Sequence, residues 1–300
     1  MISIRRAGPL TTVQDLGRPG WAHLGVPRSG ALDAPALRRA NRLVGNPDDA
    51  AGLEITLGGF TAEVGAGGVA GAGGVAGAAG AGGVVVALTG ADAELRVDGS
   101  AVPADAAVPV PAGARIEVRR ARRGLRCYLA FSGGIAVSPV LGSRSTDTLS
   151  GLGPAQVRDG DDLLLGPAGS AAAAPPGDAA PLPEGEATLR IDLGPRHDWF
   201  TLDAIEDLLR RPYTVSPHSN RVGARLAGPA LTRAVAAELP SEGLVLGAVQ
   251  VPADGQPLIF LADHPTTGGY PVVAVVNEAD LPLLAQVRPG TTVRFRGPEQ

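Results

Sequence analysis

The first residues able to do chemistry lie between Gln14 and Asp33, where Asp15, Arg18, Arg28, Ser29 and Asp33 alternate with Gly17, Pro19, Gly20, Pro27 and Gly30. Glycine and proline fix backbone directions that a plain connector does not need, so this stretch reads as polar groups held in place on a loop. Four later clusters share that character: 141–147 with Arg144 and Asp147, 216–223 with Ser219 and Arg221, 241–243 with Glu242, and 262–271 with Asp263, Thr266, Thr267, Gly268, Gly269 and Tyr270.

A guanidinium pairs with carboxylate or phosphate through two parallel bonds, which makes Arg144 and Arg221, together with Arg18, expected anion ligands. Asp147, Glu242 and Asp263 are the expected general acids or bases, with orientation of those arginines as the alternative role. The hydroxyls and backbone N–H groups of 266–269 suit an oxyanion or phosphate nest, or else a tight glycine turn. Gln250 is an amide inside an apolar strand and must find partners. With Ser29, Ser219 and Tyr270 it completes the expected substrate-binding set. A serine hydrolase using Ser29 or Ser219 with His218 or His264 lacks the G-x-S-x-G elbow. His23, His197, His218 and His264 show no metal-binding spacing, so no metal is expected.

All 26 basic residues are arginine. Without lysine there is no Walker-A loop and no Schiff base, and biotin would have to arrive on another polypeptide. A net charge of −4 without a basic stripe argues against nucleic acid as a partner. No segment approaches the roughly 20 apolar residues of a membrane span, and the first residues do not read as a signal peptide, so the expected location is the cytoplasm with no membrane partner. Cys127, the single cysteine, sits among Leu125, Tyr128, Leu129 and Phe131 and reads as core filler on a strand.

The elements that must position these loops are mostly short strands: a strand-like region at 53–64, then 84–89, 94–97, 115–119, 125–131 and 162–165, and later 189–193, 244–251, 258–262, 272–276 and 292–295. Residues 252–255 read as a hairpin turn. One helix is expected from Asp33 to Val44, with Asp33 as its cap or as a binding group, and another over 202–210 with Thr201 as cap and Pro212 as stop. The glycine-rich run 65–83 leads into a strand rather than a helix, which excludes a dinucleotide fingerprint and reads as a surface insertion. The Ala/Pro-rich stretch 167–186 reads as a linker between an N-terminal domain, 1–166, and a C-terminal β domain, 187–300. Near-continuous apolar strands imply a mainly β, closed or sandwiched fold with few helices.

Taken in order, TTVQDLGRPGW (11–21), VPRSGALD (26–33), the NP…AA…LEITLGG stretch (46–59), GGIAV…PVLGSRSTD (133–147), SPHSNRVG (216–223), SEG…GAVQVP…DGQP (241–257) and TTGGYP (266–271) resemble the biotin-dependent carboxyltransferase family, which includes the C subunit of 5-oxoprolinase and allophanate hydrolase subunit 2. The resemblance spans nearly the whole chain apart from the glycine run and the Ala/Pro stretch. It implies a cyclophilin-like β-barrel architecture in two subdomains, and a hetero-oligomer with a B-type partner protein and a further A-type one. It also implies a small-molecule amide substrate, with ATP-dependent opening of 5-oxoproline to glutamate as the expected activity. ATP would be bound in the complex, by an atypical site here or by a partner. Two alternatives belong to the same family: the carboxyltransferase half of a biotin-dependent urea or amide carboxylase, and a non-enzymatic binding protein that antagonises a kinase inhibitor. His218, Asn220 and His264–Pro265 depart from the family pattern, which implies a shifted specificity.

Overall fold

The computed structural model describes residues 1–65, 82–168, 179 and 181–297. Most of the glycine-rich run and half of the Ala/Pro stretch lie outside the described residues. By contacts the chain divides into two compact units, one formed by 1–18, 33–146 and 151–182, the other by 19–32, 147–150 and 183–300. The change at 182/183 falls within the stretch read as a linker, but the first unit is not one continuous segment. Residues 19–32 and 147–150 pack with the C-terminal unit, a grouping set by long-range contacts that composition does not register.

The first unit contains strands β1 (Ile2–Arg6), β2 (Leu10–Gln14), β3 (Gly52–Thr56), β4 (Phe60–Val64), β5 (Val84–Asp92), β6 (Leu95–Val97), β7 (Ser100–Val102), β8 (Val108–Val110), β9 (Arg115–Val118), β10 (Arg123–Phe131) and β11 (Asp162–Leu163). They form a six-stranded sheet, β11-β1-β4-β9-β6-β7, and a five-stranded sheet, β2-β3-β10-β5-β8. Inward side chains of both, among them Ile4, Phe60 and Ile116 from one and Val13, Ile55 and Leu129 from the other, share one core. The single expected region 53–64 is in fact two strands in different sheets. Leu57, Gly58 and Gly59, all with positive φ, turn the chain between them.

The outer face of the five-stranded sheet explains why its strands read as buried on both sides. Thr12, Glu54, Tyr128 and Thr89 stand opposite one another across four strands. Helix α1 (Ala34–Leu43) covers this row: the Thr89 hydroxyl donates to the Ala36 carbonyl, and the Asp33 N–H donates to the Tyr128 oxygen at 2.8 Å. The Tyr128 hydroxyl in turn donates to Glu54 at 2.8 Å. Burial, with help from the Glu54 and Asp33 charges, pushes the Tyr128 phenol well above its ordinary range, so it stays a donor. Tyr128→Phe removes one donor and one acceptor from this row and should cost about 1–3 kcal/mol, read as a lower urea midpoint with an unchanged m-value. Asp33 also caps α1, its carboxylate accepting from Ala36 N at 3.0 Å, as the sequence predicts.

In the second unit β12 (Glu186–Leu193), β13 (Tyr213–Val215), β14 (Gly223–Ala227), β16 (Ala248–Gln250), β17 (Leu258–Phe260), β19 (Val272–Val276) and β20 (Thr292–Arg296) close into a barrel of order β12-β19-β16-β17-β14-β13-β20. A separate two-stranded ribbon pairs β15 (Glu242–Gly243) with β18 (Thr267–Gly268). Leu189, Val249, Ile259, Val273 and Val293 fill the barrel with Leu208 of α2 (Leu202–Arg210), whose cap is the expected Thr201; α3 (Leu281–Ala285) adds Leu284. The expected strand 244–251 shrinks to three residues because Gly247, at φ 82°, bends the chain, and Leu244 bonds instead to Thr266. No helix among the described residues is long and apolar enough to cross a membrane.

Candidate functional site

At the base of the 263–271 loop, Arg221 and Asp263 form an ion pair at 2.9 Å with both side chains 1% exposed or less. Asp263 accepts two bonds from Arg221, one from the Ser29 hydroxyl at 2.7 Å, and two from the N–H and hydroxyl of Thr148 at 2.9 and 2.7 Å. The same guanidinium donates to the Gly30 carbonyl at 2.7 Å. Burial alone would raise the Asp263 carboxyl; the Arg221 charge and these bonds outweigh it and hold the group below the ordinary carboxylate range. Thus one buried pair fastens the excursions 19–32 and 147–150 onto the barrel. Its cost of desolvation is met only because every oxygen is bonded.

Beside it, Asp147 is also buried and spends its oxygens on the N–H groups of Leu149 and Ser150 and on the Ser150 hydroxyl. His264 is buried against Phe260, and burial lowers its pKa despite the nearby Asp263 and Asp147 charges. The ring is therefore neutral at pH 7, with Nδ1–H directed at the Pro265 carbonyl 2.7 Å away.

The loop then rises to an open face of the same unit. Gln250, 4% exposed, donates its amide to the Tyr270 carbonyl at 2.9 Å, and a Cβ on Gly268 would stand 2.7 Å from that amide nitrogen. A side chain there would displace the Gln250 amide and the Leu244 methyl. The exposed Tyr270 ring lies 5.8 Å from the Arg233 guanidinium, which donates to the Val251 carbonyl at 2.7 Å. Arg233 is half-buried, its Nε is buried without a bond, and it has no carboxylate partner among the described residues. Beside the ribbon, Arg196 pairs with Glu242 through Nε and Nη2 and lies 5.8 Å from the Trp199 ring. Hydrogen bonding from Arg196 holds the Glu242 carboxyl below its ordinary range. A cation on an aromatic face, flanked by a glycine-shaped loop and a bonded amide, can seat a small carboxylate-bearing molecule.

In the first unit, Asp15 accepts from Gly17 N, from the Ser143 and Ser145 hydroxyls at 2.6 Å each, and from Arg144 N at 2.5 Å. Arg18, 1% exposed, donates to the Val140 and Ser145 carbonyls, while its Nη1 has no bond. A Cβ on Gly153 would overlap the Ser145 carbonyl, so that loop too is packed backbone against backbone. The Arg144 guanidinium is bonded through Nε to Val137 O at 2.9 Å and has no carboxylate partner among the described residues.

The family model described as carboxyltransferase domain, subdomain A and B, matches residues 24–297. The chain belongs to this family. It is 42% identical to the C subunit of 5-oxoprolinase from Escherichia coli (strain K12) over 298 residues, 98% of this chain and 90% of that one. It is 32% identical to urea amidolyase of Saccharomyces cerevisiae, where it spans 16% of the length. The crystal structure of the K. lactis urea amidolyase superposes with a TM-score of 0.87 at 29% identity, covering 98% of this chain and 18% of that one.

The predicted site residues differ in what their polar atoms already do. Asp263, Arg221 and Ser29 are one buried framework, which argues against general acid–base work for Asp263 and against a ligand-binding role for Arg221. Asp147 caps its own turn. Ser219 bonds both ways with the Arg225 backbone, and Asn220 accepts from Val222 N and Gly223 N, so these two side chains shape the 216–223 turn. Glu242 is engaged with Arg196 and is an orienting group. Thr266, Thr267, Gly268, Gly269 and Tyr270 form the ribbon and rim, not a compact nest. Arg196 follows a strand end through Gly194 and Pro195, the same signal that marked the other loops. Arg233 sits between Leu231 and Val235 without glycine or acid nearby, and nothing in the sequence marks it.

Proposed function

We propose that this chain is one component of an ATP-dependent 5-oxoprolinase, a hydrolase that acts with a B-type partner protein. The observation that carries this reading is the 42% identity over 298 residues, end to end, with a protein named as a component of that enzyme. The substrate is a five-membered lactam bearing one carboxylate, and the rim of the second unit suits it: Arg233 for the carboxylate, Tyr270 for the ring, Gln250 and Gly268 to hold the loop in shape. ATP is needed because an unstrained amide is a poor electrophile. Transfer of its γ-phosphoryl group to the lactam oxygen activates the carbon; water adds there and the C–N bond breaks to free the amine. A second water then hydrolyses the acyl phosphate, releasing glutamate and phosphate. With no lysine the chain has no Walker-A loop, so in this reading the triphosphate sits on a partner protein or at an atypical site here.

Reconstitution with the partner proteins should release glutamate and ADP from 5-oxoproline and ATP in equal amounts, while this chain alone should release none. No turnover by the full set would sink the proposal. The likeness to urea amidolyase favours a second reading, a carboxyltransferase half for urea or another amide. That reading requires a biotinylated carrier, so its activity should be abolished by avidin, whereas 5-oxoprolinase turnover should be indifferent to it. A non-enzymatic binding role, as in antagonism of a kinase inhibitor, would appear as tight partner binding with no turnover of any of these substrates.

A further inference from the structure

The first unit carries a cleft of about 600 Å³ that shares no residue with the rim just described. Its walls come from the end of β1, the turn between β3 and β4, and the segment after β9, and they bring together Arg6, Arg119, Arg120, Glu117 and Asp159. The arginines at 119 and 120 belong to the densest basic run in the chain, Arg119-Arg120-Ala121-Arg122-Arg123, in a protein whose net charge is −4.

Most of that charge is accounted for. Arg122 and Arg123 reach Asp92 at 3.2 and 3.4 Å, Glu117 lies between Arg115 and Arg119 at 3.1 and 3.8 Å, and Asp159 accepts from Ala7 N at 2.7 Å. Arg6 and Arg120 have no bonded or ion-paired acceptor among the described residues, and both are exposed. Glu117 offsets the Arg119 charge, which leaves Arg6 and Arg120 as the cations of the lining without a bonded acceptor among the described residues.

The backbone is shaped to keep this space clear. Ala121 N donates to the Leu57 carbonyl at 3.0 Å, fixing the arginine turn against the β3–β4 turn. Gly58 must be glycine because a Cβ would overlap the Arg119 carbonyl, and Gly8 because its Cβ would stand 2.8 Å from Gly58 O. Gly59, which also lines the cleft, has nothing within 4 Å of where its Cβ would be. Leu57 itself adopts φ 63°, a conformation that a branched side chain avoids unless its surroundings impose it.

We propose that this cleft is a binding site for a small molecule carrying at least two anionic groups, one for each of Arg6 and Arg120. Its volume exceeds that of a simple inorganic ion and lies in the range of small-molecule sites. Phosphate and carboxylate both match the guanidinium fork, so the test uses one probe of each: inorganic pyrophosphate and glutarate, titrated calorimetrically into the full chain.

At least one probe should bind, more weakly as salt is raised, and Arg6→Ala/Arg120→Ala should weaken it by about tenfold or more. Arg210→Ala/Arg211→Ala, which removes the same charge from the far end of α2, should leave binding unchanged. The probe preferred assigns the anion as phosphate or carboxylate. The proposal is overturned if neither probe gives heat at millimolar concentration, or if both double variants weaken binding equally. Because Arg6 and Arg120 are exposed and their side chains hold no partner among the described residues, a circular dichroism spectrum and melting curve like those of the parent chain are expected for the cleft variant. 5-Oxoproline turnover in the complex does not enter this measurement, so its outcome is separate from that of the proposed function.

Discussion

Asp263→Ala should destabilise the barrel unit by about 3–5 kcal/mol, because it strands a fully buried guanidinium and leaves the donors on Ser29 and Thr148 facing nothing. A melting temperature lower by roughly 10 °C is the expected reading. Arg221→Ala should cost a similar amount by exposing the opposite charge to the same dry surroundings. If the pair acts as one unit, Arg221→Ala/Asp263→Ala should be less destabilised than the sum of the two single variants, giving a coupling energy above about 1 kcal/mol by the usual order for buried partners. Additive losses would mean that each residue stabilises the fold separately. The pair also sets an acid limit. The folded Asp263 carboxyl titrates below its unfolded value, so its contribution is complete above the unfolded value of about 4 and is lost as pH falls through the folded one. The parent chain should therefore lose stability below about pH 4, and a variant lacking the pair should lose less over that interval.

That pair also shows where reading the sequence stops. The longer apolar strands, both long helices and the caps Asp33 and Thr201 follow from local pattern, since period and capping chemistry act over a few residues, whereas β1, β2, β7, β8, β13 and β14 are short or polar enough that the pattern does not mark them. The polar loops are legible as a class for the same reason, with glycine and proline marking held backbone. What local pattern does not encode is which polar atoms remain available after folding. Arg221 and Asp263 are 42 residues apart and Ser29 is 234 residues from Asp263, so their mutual saturation is visible only in the assembled unit. Three residues that look suited to catalysis or binding are thereby consumed by architecture. Arg233 is the converse case: it sits in an unremarkable stretch and is left with a buried, unbonded Nε beside an exposed aromatic ring. Arg144 lies between the two, marked by its loop and still without an ion-pair partner among the described residues.

Arg233→Ala should lower kcat/KM for 5-oxoproline in the reconstituted complex by about a hundredfold, chiefly through a higher KM. A charge-assisted bidentate contact to a substrate carboxylate contributes on the order of 1.5–3 kcal/mol when partly desolvated. The structural part of the change is small by comparison: one bond to the Val251 carbonyl and one cation–ring contact, together about 1–2 kcal/mol. The two contributions separate in the measurements, because lost packing lowers the melting temperature without favouring KM over kcat. Arg233→Lys is the sharper variant. Lysine keeps the charge and can still sit on the Tyr270 ring, but it lacks the planar fork, so it should restore stability while recovering only part of the affinity. If Arg233→Ala leaves KM unchanged and only shifts the melting temperature, Arg233 is a brace for the 263–271 loop, and Arg144 becomes the next candidate in this chain for the carboxylate. The same pair of measurements on Arg144→Ala then tests that assignment, with the rise in KM transferred to the first unit.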